Sequence, residues 1–185
     1  GVPASNQKSM PPGMSPQELG VGLAISLDTS CAKSLISQAE QSLLQQASIS
    51  INDYHRELLV LCASAHECAI SMLLKDPIAR RSILDGYRDA WNNVGSSGTS
   101  GSLLLQLFMR RRLIYTAAFM KDMNDASCNK GLDVSPVSSQ IALVFAESIE
   151  TIAGNRSKSG IVFMLAAISA DAHFDAHYEG AKDAL

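Results

Sequence analysis

The sequence predicts an all-α fold, a compact bundle of five to seven helices in one domain around a largely buried central helix, and three observations carry that prediction. Tyr54 to Leu74, YHRELLVLCASAHECAISMLL, is too long for a strand and apolar on nearly every side, as a helix enclosed by others must be. Apolar residues recur at helical spacing in several further stretches. Helix-starting and helix-stopping residues, such as Asp76-Pro77 and Gly154-Asn155, separate those stretches by short connections that make neighbours antiparallel.

The composition agrees. Of 185 residues, 46% are hydrophobic and 18% charged, which is globular, and the 5% aromatic share leaves Leu, Ile, Ala and Met to fill the core. A chain of this length can bury roughly 70% of the surface its unfolded form exposes. A net charge of -3, with no basic run interleaved with aromatics, gives no basis for binding nucleic acid. Cys31, Cys62, Cys68 and Cys128 form no CxxC pattern, and four are too few to staple a chain this long. They read as thiols in a reducing compartment, with the cytoplasm, or a host cell's cytosol, as the expected location. No uncharged apolar window reaches 18 residues.

Residues 1–14, GVPASNQKSMPPGM, hold three prolines and no acidic residue and are expected to be a flexible arm. Gly1 followed by Ser5 fits the N-myristoylation pattern, although an ordinary start-site glycine before a flexible tail is the plainer reading. A membrane is a partner only if Gly1 is acylated, and one acyl chain holds weakly. From residue 15 to 185 a single helical domain is expected. Ser15-Pro16-Gln17-Glu18 is a capping box that starts a helix, which Gly20 and Gly22 make a poor one. Asp28, Thr29 and Ser30 offer a break and a second N-cap, followed by Leu35, Ile36, Ala39, Leu43 and Ala47 at helical spacing.

The central helix begins at Asn52 or Asp53 and ends at Lys75, where Asp76-Pro77 caps a following helix that runs to about Val94. Ile83, Tyr87, Ala90, Trp91 and Val94 form its core stripe. Residues 95–101, GSSGTSG, are a candidate hinge; they lack the Lys that a phosphate-cradling Walker loop requires. The next helix, Ser102 to about Asp122, is interrupted by Arg110, Arg111 and Arg112. Three consecutive residues fan across about 200° of a helix, so these arginines cannot share one solvent face. Arg111 and Arg112 must turn toward the flanks or inward, to an ion pair with Glu or Asp of a neighbouring helix or, less simply, to a bound anion. A polar loop over Asn124 to Ser135 follows. Ser135-Pro136 opens another helix, which ends at Gly154, and a final helix begins after Ser157 or Ser159 with IVFMLAAISA almost wholly buried before a polar end.

Candidate chemistry concentrates at that polar end. Asp171, His173, Asp175, His177 and Glu179 alternate with small or apolar residues, but Ala176 and Lys182 stand where a calcium loop needs Gly and Glu. His173 and His177, one helical turn apart, are a two-imidazole pair of the kind zinc takes, and Cys62 and His66 on the central helix have the same spacing. Packed face to face the four would make a zinc site. A thiol-imidazole catalyst is disfavoured because Cys68 and His66 point to different faces, and no carboxylate pair is expected from Glu57 or Glu67. The chain is therefore expected to be a non-catalytic interaction module, an adaptor, regulator or delivered effector that binds a protein partner or another copy of itself. A metal-binding bundle is the alternative.

Overall fold

The computed structural model describes residues 13–31, 36–91, 101–128, 139–154 and 159–185. Gly1, the arm up to residue 12 and the candidate hinge except Gly101 lie outside them. Among the described residues there are seven helices and no strand: α1 Pro16–Cys31, α2 Gln38–Ala47, α3 Ile51–Leu73, α4 Pro77–Ala90, α5 Gly101–Cys128, α6 Gln140–Ala153 and α7 Ser159–Ala184. The fold is an all-α bundle, as the apolar periodicities require.

Helix α3 is the centre. Ser50 caps it by accepting the Asp53 amide at 3.1 Å, slightly ahead of the start read from Asn52 or Asp53, and every residue from Glu57 to Ile70 is buried. With no face left for solvent, α3 is enclosed mainly by α7 and α5, with α1, α4, α6 and α2 completing the shell. Asp76 then caps α4 through the Ile78 amide at 3.0 Å, with Pro77 at the first helical position. The chain reverses there because Pro77 cannot continue α3 and its fixed backbone angle suits a helix start.

Several boundaries differ from the sequence reading. The break expected at Asp28 to Ser30 is absent: α1 continues to Cys31, held by the buried residues Leu19, Leu23, Ala24 and Leu27. Helix α2 starts later because Ser37 closes a reciprocal capping box with Glu40, each satisfying the other's backbone amide. Likewise α5 runs past Asp122 to Cys128, taking in the first residues of the expected polar loop. Ser135-Pro136 lies outside the described residues, and α6 begins at Gln140 behind the cap Ser139. Its first two amides are also held by the Asp122 carboxylate of α5, at 2.8 and 3.2 Å. Helix α7 is less buried than its apolar content implies. Phe163, Met164 and Ile168 face outward, because α6, α3 and α2 cover only part of its circumference.

Helix α1 packs chiefly on α4, and two glycines set how closely. A Cβ on Gly20 would lie 2.1 Å from the Ile83 carbonyl oxygen, and one on Gly86 would lie 2.3 Å from the Gln17 carbonyl oxygen. The residues that weaken each helix internally are those that let the two backbones touch. Gly20→Ala and Gly86→Ala are therefore each expected to lower stability by about 1–3 kcal/mol in urea denaturation. Gly22→Ala, which meets nothing within 4 Å, should be neutral or stabilising by up to about 1 kcal/mol.

Candidate functional site

Burial of α3 all round from Glu57 to Ile70 places Glu57, His66 and Glu67 in the interior. A charged group there persists only when it is paired and hydrogen-bonded. Each of the three is met by side chains from other helices, and the result is two polar networks.

The first network is ionic. Glu57 accepts hydrogen bonds from the Arg111 guanidinium and from the Tyr115 hydroxyl at 3.0 Å. Arg111 and Tyr115 stand one turn apart on α5, so both reach the same carboxylate. The next residue, Arg112, points about 100° further round α5 and donates to Glu67 Oε1 at 2.8 Å. Arg88 of α4 donates to the same oxygen at 2.7 Å. Arg110 is exposed. The three consecutive arginines thus divide between solvent, Glu57 and Glu67. Burial pushes the Glu57 carboxyl above the usual carboxylate range against the pull of Arg111 and Tyr115, and burial also raises the Tyr115 hydroxyl. Cys68 lies 3.7 Å from Thr116, and burial lifts its thiol to about 11, which leaves it protonated and unreactive at neutral pH.

The second network joins α2, α3, α4 and α7. His66 Nδ1 lies 3.1 Å from the Tyr87 hydroxyl, and His66 Nε2 lies 3.3 Å from His177 Nδ1. Burial and then the neighbouring His177 ring hold His66 down at about 3. Burial and then His173 lower His177 as well. One turn earlier on α7, His173 approaches Glu40 of α2 at 3.4 Å, and Tyr54 of α3 donates to the other Glu40 oxygen. Burial raises the Glu40 carboxyl, but hydrogen bonds from His173, Tyr54 and the Ser37 amide outweigh it and leave it below the usual range. Burial together with Glu40 keeps the Tyr54 hydroxyl protonated.

Of the four candidate zinc ligands, His66 and His177 come together. His173 does not join them, because it turns to Glu40, and Cys62 is fully buried on α3. Among the described residues no group of three or more His, Cys, Asp or Glu side chains is placed to hold a metal ion. A structural zinc site needs four ligands. The stripe that the sequence assigns to His173 and His177 together is split between two neighbouring helices, which is why the expected face-to-face packing does not assemble it. Arg111 and Arg112 occupy carboxylates rather than an anion. Sequence reasoning passed over Glu40, Tyr54, Tyr87 and Arg88, although Ser37-x-x-Glu40 is a legible capping box.

Removing Arg111 leaves the Glu57 charge buried without its counter-ion. Arg111→Met should cost about 3–5 kcal/mol, and the Glu57→Gln/Arg111→Met pair should recover part of it. Arg110→Met should stay within about 0.5 kcal/mol. The single tryptophan, Trp91, buried against Phe108 with ring centroids 6.0 Å apart, reports all three unfolding curves by fluorescence. No protein-family model, curated protein or solved structure matches this chain, so its functional reading rests on the geometry above.

Proposed function

We propose that the protein is a non-catalytic helical interaction module whose protein partner lies along the outer face of α5. The observation that supports this is a row of exposed apolar side chains on the side of α5 turned away from the core. Met109, Leu113 and Met120 are exposed, Leu113 by 64%, and half-buried Thr116, which also touches Cys68 of α3, borders them on the core side. Their spacing of four, three and four residues is that of a coiled-coil seam, which a second helix can follow. Ala117 widens the apolar strip on one side, where Arg110 and Lys121 edge it with positive charge, and Ile114 lies beyond them. Leu104, Phe108, Tyr115 and Phe119 occupy the opposite side and fix α5 in the core. Holding α5 through Glu57 and Glu67 keeps the strip in place before any partner arrives, which lowers the entropy cost of binding. Methionine suits such a surface because its unbranched side chain adapts to the partner's shape.

We place the protein in a reducing cytosol, a reading supported by four cysteines that form no CxxC pattern and by the Cys68 thiol, which stands against Thr116 rather than in a disulfide. No helix among the described residues is long and apolar enough to cross a membrane.

A photo-crosslinking residue at position 113 should capture a protein partner that the same residue at the exposed Arg81 position does not. The Leu113→Glu/Met120→Glu variant should then weaken binding of that captured partner by about tenfold or more, with a urea midpoint near that of the parent. Equal capture at both positions, or undiminished binding by the variant, would overturn the reading.

A further inference from the structure

His66 is 3% exposed and stands between α4 and α7. Each of its two ring contacts needs one proton between the heavy atoms. With both imidazoles neutral, the chain is satisfied in either direction. Tyr87 donates to His66 Nδ1 while His66 Nε2 donates to His177, or His177 donates to His66, His66 donates to Tyr87, and Tyr87 donates to the Ala63 carbonyl 3.5 Å away. One further proton places a cation on the buried His66 ring or on the half-buried His177 ring beside it, where burial disfavours charge. Two set N–H against N–H at 3.3 Å.

The surrounding charges offer little relief. On α3, Glu67 is held by Arg88 of α4 and Arg112 of α5, and Cys62 lies one turn away. On α7, His173 is the nearest titratable neighbour of His177 and is itself turned toward Glu40 of α2. Helix α1 brings Glu18 only at its exposed start, and α6 carries Glu147 and Glu150 without touching the pair. Among the described residues, no carboxylate contacts either ring of the pair.

We propose that the His66–His177 contact is an acid-operated latch, which holds the C-terminal half of α7 on α3 while both rings are neutral and releases it when the rings take up protons. The sign follows from linkage. Both rings bind protons less readily folded than the ordinary histidine value of about 6.5 in the unfolded chain, so the stability they confer is complete above that value and is lost as pH falls below it. At pH 5 the opening equilibrium should be favoured on the order of 30-fold through His66, with a contribution of the same sign from His177. The latch is independent of the α5 surface, and its test needs no partner.

Amide hydrogen exchange of the full chain, corrected for the intrinsic pH dependence of exchange, should show protection in residues 171–184 falling between about pH 7 and pH 5. His177→Gln, which keeps a hydrogen-bonding side chain without a titrating ring, should make that fall smaller, and so should His66→Gln. If His66→Gln does not fold, His177→Gln on the less buried ring gives the same reading. His173→Gln should retain the fall. A wild-type profile without it, a fall undiminished in His177→Gln, or one abolished by His173→Gln would overturn the latch, the last by moving the sensor to Glu40 and His173.

Discussion

Everything in this bundle follows from the absence of a solvent face on α3. A helix buried from Glu57 to Ile70 supplies the apolar area that drives collapse, but its polar side chains can be satisfied only by other helices. Glu57 requires Arg111 and Tyr115 and so fixes α5; Glu67 draws Arg88 and Arg112 and ties α4 to α5; His66 takes Tyr87 and His177. Unsatisfied buried groups are costly, so each of these contacts selects against neighbouring arrangements of roughly equal apolar burial. Apolar packing alone would tolerate several rotations of α5 or α7 about their axes. The polar side chains of α3 accept one.

The two networks respond to acid with opposite sign. The Glu57 carboxyl is raised in the folded state, so acidification through its range favours the fold, whereas His66 and His177 are lowered and oppose it. The charged network and the neutral one therefore partly offset each other. Their elements differ too: the Glu57 contacts join α3 and α5, while the histidines join α3 to α4 and α7. Acid strain is accordingly concentrated on one side of α3.

Much of this was legible in the sequence where the signal is local. Ser15 with Glu18, Asp76 with Pro77, and Gly154 announce helix ends because caps depend on residues a few positions apart. That Arg111 and Arg112 cannot both share the solvent face of Arg110 follows from helical geometry alone. What escaped depends on which helix lies opposite. Gly20 and Gly86 look like defects until α1 and α4 are set against each other, and Phe163, Met164 and Ile168 look like core until the coverage of α7 is known. The pairing of His66 with His177, and of His173 with Glu40, joins residues far apart in sequence. Nothing at short range specifies it.

The close approach of α1 and α4 also orders events during synthesis. Gly20 leaves the ribosome well before Gly86, and at 5–20 residues per second the interval is roughly 3–13 s. Throughout that time Leu19, Leu23 and Leu27 lack the helix they are shaped to meet. Helix α1 thus docks only once α4 has formed, since its seat does not exist until α3 has been followed by α4. A nascent chain in this state presents an apolar ridge to whatever else is near, and the speed with which residues 77–90 emerge governs how long that exposure lasts.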